Sequence, residues 1–374
     1  MVITGRNVKI AVIGAGPAGS VAAALLARAG LDVTLVEQHR FPRDKVCGEC
    51  VSALGVQVLE ELGAIERVGA LGAMTLKRAM FHSSAGETFE LPLPRTMLGV
   101  SRHALDAELL KIAVEAGARV ILPARCEQVE NSHVGVCLIV RQLVTNEVKS
   151  LEVAQVIVAD GKGLPSASRA QELGVKAHFE NIRGPRDAVE LFGVEGHYGG
   201  LAPVEGMRWN ASFSVPVDRV RSVGGDLDAL WARIVEQNPI LSRRMRAARR
   251  VSPWLASGLP RFGVRPLRDW PECAIPVGNA LAAIEPIGGE GIGLAMRSAQ
   301  LAALALIEAS REGRPPDRAT LHAQFAKLFR SRRLMTRLAA MMLSRPMVAN
   351  WLIGSLQSSD PFTTIGLRLA GKTA

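Results

Sequence analysis

Two glycine-rich segments far apart in the chain carry the residue types that could do chemistry. The first is Gly14-Ala15-Gly16-Pro17-Ala18-Gly19, directly after the apolar run Lys9 to Ile13, with Glu37 further on. Gly14 permits a tight turn after a strand, Gly16 lets backbone approach a pyrophosphate, and Gly19 lets helix and strand pack closely. The following helix would offer unpaired N–H groups and partial positive charge to phosphate. An acidic residue about 20 positions after the motif can bind ribose hydroxyls. Glu37 therefore favours an adenosine ribose without a 2′-phosphate. The second segment is Gly278-Asn279-Ala280, then Pro286-Ile287-Gly288-Gly289-Glu290-Gly291-Ile292-Gly293. Glycines before a helix let backbone N–H groups reach a ligand carbonyl or a developing anion.

These motifs need elements to hold them. Val8 to Ile13 reads as a buried strand, Ser20 to Gly30 as a helix with Gly30 at its C-terminal cap, and Leu31 to Glu37 as a second strand. Helices are expected over Ser52 to Leu62 and Ser101 to Ala116, the latter capped by Ser101. Strands are expected within 75–91 and at 118–122, 134–140 and 151–159. Phe192 to Pro216 alternates as a β-region, Leu227 to Arg250 looks helical, and Ala274 to Gly278 reads as a short returning strand. A helix is expected over Gly291 to Ala309, with further helices from Thr320 to the end.

The chain has 374 residues, 48% of them hydrophobic and 21% charged, which suits a globular enzyme with a full core. Its net charge is +10 with aromatics at 4%. No nucleic-acid motif accompanies the charge, so no nucleic-acid partner is expected. Five cysteines are too few for a disulfide framework, no secretory signal is legible, and a cytoplasmic location is expected. The apolar stretches near the end are broken by Arg337, Arg345 and Pro346, short of the ~20 residues of a membrane span. The seven histidines show no metal spacing, and no metal is expected.

Four stretches together resemble the FAD-dependent monooxygenase superfamily that includes the aromatic hydroxylases, and within it the geranylgeranyl-reductase-like branch. They are the glycine motif with Glu37; Phe41-Pro42-Arg43-Asp44-Lys45-Val46-Cys47-Gly48-Glu49; Val100-Ser101-Arg102-His103-Ala104-Leu105-Asp106; and the Gly278 to Gly293 region. The resemblance runs from Val8 to about Ala309. It implies FAD as resident cofactor and NAD(P)H as a transient co-substrate. It implies that Arg102 reaches the flavin nucleotide and that Asp160-Gly161 lies near the pyrophosphate. Asn279 stands where the family usually has an aspartate on the ribityl chain, and an asparagine can still hydrogen-bond there. The implied fold is α/β: a Rossmann-like FAD-binding domain with an inserted β-sheet substrate domain and C-terminal helices. The FAD-binding parts fall at 1–75, 101–175 and 266–312, the substrate parts at 76–100 and 176–265, and the helices at 313–374.

Arg43 and Lys45 suit phosphate neutralisation. Cys47 and Cys50 spell a CxxC, readable as a redox dithiol or as a packed Cys47 beside the flavin. Tyr198, the one tyrosine, could help ionise a phenolic substrate or be an ordinary strand residue. Trp209, Phe213, Trp254 and Phe262 could line an apolar pocket or the core. The basic, amphipathic stretch 330–356 suits membrane contact or packing on the body. The expected activity is NAD(P)H- and O2-dependent hydroxylation of an apolar or phenolic, polyketide-like metabolite. The alternatives are reductive saturation of prenyl double bonds and a non-catalytic flavin-binding protein. A halogenase is disfavoured because no Trp-x-Trp-x-Ile-Pro signature is found. A hydrophobic small-molecule substrate is expected, bound by a monomer or homodimer.

Overall fold

The computed structural model describes residues 8–133, 135–161, 171–260 and 262–356. Residue 134, the expected start of one strand, and the chain beyond 356 lie outside them. A five-stranded parallel sheet runs in the order Ala274–Pro276, Gln155–Val158, Lys9–Ile13, Asp32–Val36, Arg119–Ile121. This is the Rossmann-like element order that the βαβ pattern implies.

Both faces of this sheet are covered, which is why its strands are apolar throughout. Successive side chains alternate across the sheet. Ile10 and Val12 join the cluster formed with the helices Pro17–Arg28, Arg102–Glu115 and Gly291–Glu312. Ala11 and Val156 point the other way, into Val136, Leu138 and Val140 of a three-stranded antiparallel sheet, Ala124–Ser132, Gly135–Gln142 and Val148–Val153. Ser101 caps its helix by accepting the Ala104 N–H at 3.1 Å. The helix Gly291–Glu312 is long and apolar enough to cross a membrane by length and composition, yet it is the central packed helix here.

The second unit is a nine-stranded, mostly antiparallel sheet. Its main path runs from Arg249–Arg250 through Glu172–Glu180, Trp209–Pro216, His197–Pro203, Ala188–Val194, Met74–His82 and Thr88–Gly99 to Cys50–Val51. One face packs Val175, Ala177, Phe179, Phe213 and Val215 against the helices Leu227–Glu236 and Pro239–Met245. The alternate residues, among them Lys176, His178, Ser212, Ser214 and Tyr198, therefore face the nucleotide-sheet unit. The helices Arg318–Leu343 and Pro346–Leu356 lie across this sheet and the Pro286–Gly288 turn.

Several expectations are corrected. The run 151–159 is two strands, because the chain leaves the small sheet after Val153 and enters the parallel one at Gln155. The helix expected over 227–250 breaks at Asn238, whose side chain caps a new helix begun by Pro239, and ends in the strand Arg249–Arg250. The strands Ala124–Ser132 and Glu172–Glu180 had no counterpart in the sequence reading. The large sheet also takes Cys50–Val51, Met74–Thr75 and residues 172–175, which the expected boundaries assign to the nucleotide unit.

A Cβ at position 19 would lie 1.7 Å from the Gly14 carbonyl oxygen. That contact is backbone, so no rotamer change relieves it. Gly19→Ala is expected to cost about 3 kcal/mol or more by overpacking, whereas Gly30→Ala, strained only through its φ of +81°, should cost about 1 kcal/mol. Urea midpoints at constant slope check the difference.

Candidate functional site

A cavity of about 250 Å³ separates the parallel sheet's helices from the large sheet. Its polar end is the start of the helix Pro17–Arg28. Gly16 caps this helix without a side-chain hydrogen bond, so first-turn N–H groups remain for a ligand. A Cβ on Gly16 would meet nothing nearer than the Arg102 and Arg43 guanidinium nitrogens, at 3.7 and 3.8 Å. Gly14 makes its turn at φ +96° against the Ala159 carbonyl. Glu37 is buried at the end of its strand and accepts the Ala15 N–H at 2.7 Å and the His39 N–H at 2.7 Å. The carboxylate thus fixes the turn.

Three cations crowd this end. Arg102 is held in a bidentate pair with buried Asp106 at 2.7 and 2.6 Å. Arg43 approaches the same carboxylate at 3.4 Å. Burial lowers the Arg102 pKa, but Asp106 outweighs it and the net shift is upward. Burial, followed by Arg102 and Arg43, pushes the Lys45 amine down to about 8. The buried Arg43 Nε has no hydrogen-bond partner in the structure. An electrostatic hole of this kind fits an anion with several oxygens. FAD fits it: the pyrophosphate would lie against Gly16, Pro17, Ala18, Arg43 and Arg102, and the ribityl chain and ring against Gly161, Asn279, Pro286, Gly289, Gly291 and Ile292.

Most of the residues singled out in the sequence meet in this cavity. Gly16, Pro17, Ala18, Cys47, Arg102, Gly161, Tyr198, Asn279, Pro286, Gly289, Gly291 and Ile292 all line it. Gly14, Gly19, Glu37 and Arg43 support its polar end from behind. Asp160 does not line the wall, though its neighbours Ala159 and Gly161 do. Gly288 does not line it either: a Cβ there would meet Thr336 Cγ2 at 2.9 Å, so its role is packing against the C-terminal helix. Phe213 and Phe262 line the cavity, whereas Trp209 and Trp254 pack in the core behind the large sheet.

Both cysteines of the CxxC border the cavity. Cys47 lines it, held by the Glu49 N–H to Sγ at 3.4 Å and by Asn210 Nδ2 donating to its carbonyl at 3.0 Å. Cys50 is buried with Leu76 and Met97, and its thiol donates to the Gly48 carbonyl at 3.5 Å. No disulfide links them. Among the described residues no group of His, Cys, Asp or Glu could hold a metal.

Tyr198 is not set up to ionise a phenol. Its hydroxyl donates to Glu285 Oε2 at 2.8 Å. Burial, then Glu285 itself, pushes the Tyr198 pKa far above the ordinary value. Burial also raises the Glu285 carboxyl, against the hydrogen bond from Tyr198, with Glu172 adding to the rise and Arg337 opposing it. Both shifts favour the protonated forms. Glu285 was not singled out in the sequence, because nothing marks the residue before a Pro-Ile-Gly turn as chemically special.

A second missed cluster lies under the Cys47-Gly48 loop. Glu49 is fully buried at φ +57°, an uncommon value for a non-glycine residue. It accepts the Arg102 N–H at 2.9 Å, pairs with His178 Nε2 at 2.6 Å and receives a short hydrogen bond from buried Lys176. Burial would raise its pKa, but His178 and Lys176 hold it below the usual carboxylate range. The cluster anchors the Cys47 loop to both the large sheet and the Arg102 helix. Its sequence signal was the alternation Val175-Lys176-Ala177-His178-Phe179, polar on one face and apolar on the other.

Comparison with known proteins agrees with this geometry. A family model described as an FAD binding domain matches residues 7–190. A menaquinone reductase of Mycolicibacterium smegmatis is 28% identical over 79% of this chain and 75% of its own length. A digeranylgeranylglycerophospholipid reductase of Methanopyrus kandleri is 29% identical over 81% of this chain and 78% of its own. Among solved structures, a geranylgeranyl bacteriochlorophyll reductase-like protein from Thermoplasma acidophilum superposes with a TM-score of 0.79 at 19% identity, covering 96% of this chain and 95% of that one. A flavin-dependent brominase gives 0.79 at 18% identity, over 98% of this chain and 94% of that one. At such identities the structures speak to fold alone. The resemblance, the fold class and FAD, as read from the sequence, all agree with these findings.

The cation cluster makes cofactor binding pH-dependent in a defined direction. With a pKa of about 8, Lys45 is mostly neutral at about pH 9, and a bound pyrophosphate would return it toward its ordinary value. FAD binding to stripped protein at that pH is expected to take up close to one proton, and at about pH 6 none. Calorimetry in buffers of different ionisation enthalpy measures the uptake. Lys45→Met should abolish it.

Proposed function

We propose that the chain is an FAD-dependent oxidoreductase, and more narrowly a reductase that saturates isolated double bonds in a prenyl-bearing, lipid-like substrate. One observation carries this reading: Tyr198 stands in the wall of a largely apolar cavity with its hydroxyl hydrogen-bonded to Glu285. Reduced FAD, when bound, supplies a hydride. Saturating a carbon–carbon double bond needs that hydride on one carbon and a proton on the other. Tyr198 would deliver the proton from its hydroxyl, and Glu285, a carboxyl raised by burial, would replace it on the phenolic oxygen. Solvent protons then restore Glu285, and NAD(P)H in transient contact would restore the reduced cofactor. Leu191, Ile284, Ile287 and Phe329 supply apolar wall for an isoprenoid chain. The names of the relatives, reductases acting on menaquinone or on digeranylgeranyl lipids, support the same substrate class.

Hydroxylation of a phenolic metabolite remains the second reading. The Pro286 to Gly291 turn favours it, since its amides border the cavity where an oxygen-derived anion could be stabilised. That reaction wants a base near the phenol, and Tyr198–Glu285 is poorly suited to the role.

Anaerobic stopped-flow mixing separates the two. Dithionite-reduced holoprotein mixed with detergent-solubilised geranylgeranyl diphosphate should reoxidise without oxygen and yield a product two hydrogens heavier. Tyr198→Phe should slow that step roughly 100-fold while leaving reduction of the flavin unchanged. Reoxidation that requires oxygen and yields a hydroxylated phenol would instead establish the second reading.

A further inference from the structure

We propose that the two C-terminal helices form a docking surface for an anionic lipid bilayer, set against the outer wall of the cavity. The inner face of Arg318–Leu343 is packed through Leu321, Phe325, Phe329, Ala340 and Leu343. The outer face carries Leu334, Leu338 and Met341, spaced as i, i+4 and i+7, so they form one stripe. Met347 and Trp351 continue the apolar surface on Pro346–Leu356. Leu334 is 61% exposed, Met347 87% and Trp351 71%. Half of the exposed large hydrophobic residues of the described structure fall within 334–351. A surface of this concentration is unusual for a part of the molecule that faces only water.

Charge identifies the occupant. Residues 318–356 contain no Asp or Glu, and they contain Arg318, Lys327, Arg330, Arg332, Arg333, Arg337 and Arg345. Arg330, Arg333, Arg337 and Arg345 are exposed beside the apolar stripe. An apolar stripe flanked by arginines, on helices that carry no acidic residue of their own, matches the interface of a bilayer with anionic headgroups. A second copy of the same surface would bring arginines against arginines.

The position of the surface gives the docking a purpose. Leu191, Tyr198 and Ile287 line the cavity and also pack against Ala340, Leu343, Ala349 and Ile353 of the helix pair. Phe329 of the first helix lines the cavity directly. The same two helices therefore separate the cavity from the proposed bilayer, and a lipid-soluble substrate would have little water to cross. The surface itself rests on exposure and charge and stands independently of the reductase reading.

Holoprotein, purified with its flavin, is sedimented with vesicles of phosphatidylcholine alone or mixed with phosphatidylglycerol. It is expected to pellet at least about tenfold more with the anionic vesicles and to be released by high salt. The double variants Met347→Ser/Trp351→Ser and Arg330→Glu/Arg333→Glu should each lower binding about tenfold while retaining bound flavin. Two variants of different chemistry guard against a folding failure in one of them. Protein that stays in the supernatant with anionic vesicles would overturn the proposal, as would binding that both variants leave unchanged. A dimer in vesicle-free solution that Met347→Ser/Trp351→Ser dissolves would assign the surface to a second copy and overturn it equally. Flavin reoxidation by prenyl substrate in detergent, measured on the same variants, keeps failure of this surface distinct from failure of the reductase reading.

Discussion

Three cations gathered around one carboxylate are the constraint on which the site depends. Arg102 and Arg43 share Asp106, and Lys45 is pushed toward neutrality beside them. Like charges this close, drawn partly out of water, are costly unless an anion joins them. The start of the helix Pro17–Arg28 points uncapped N–H groups at the same place. Backbone dipole and side-chain charge therefore converge, and a pyrophosphate answers both. The Glu49–His178–Lys176 cluster extends this logic into the large sheet. By accepting the Arg102 N–H, Glu49 ties the start of the Arg102 helix to a strand of the other unit. The two units are thereby registered on either side of the cavity.

The chemistry divides along the cavity. The charged end suits a nucleotide, and the opposite end is largely apolar, with Tyr198, Ser212 and Ser214 as its polar side chains. Burial is the largest cause of the upward shifts of Tyr198 and Glu285, and the C-terminal helices contribute to the burial of Tyr198 through Ala340 and Leu343. The helices that close the cavity thus also bury Tyr198. One architectural choice, laying two helices over the sheet edge and the Pro286–Gly288 turn, sets the dryness of the site and the surface shown outward.

The nucleotide end was legible in the sequence because its function is performed by backbone. Gly14, Gly16 and Gly19 are needed at fixed spacing by local geometry alone, and a βαβ unit keeps them local. The contacts of Gly14 with Ala159 and of Gly19 with Gly14 are the physical form of that requirement. The large sheet was harder to read because its strands pair across long separations. The strand Glu172–Glu180 finds partners at 209–216 and 249–258. Its alternation was present, but nothing local says which face meets a ligand. Tyr198 illustrates the gap: its position in a strand was readable, and the partner that decides its chemistry, Glu285, lies 87 residues away. The CxxC spacing was readable in the sequence, but the packing of Cys50 against Leu76 and Met97 was not, because those partners come from other strands.

The central claim is that the space between the two sheets holds FAD by its pyrophosphate. Titration of flavin-stripped protein with FAD and with riboflavin, followed by flavin fluorescence, tests it most directly. Several charge-assisted hydrogen bonds to the pyrophosphate should make FAD bind about a thousandfold more tightly than riboflavin, with Arg102→Met erasing most of the difference. Equal affinity for the two flavins, or none for either, would contradict the account.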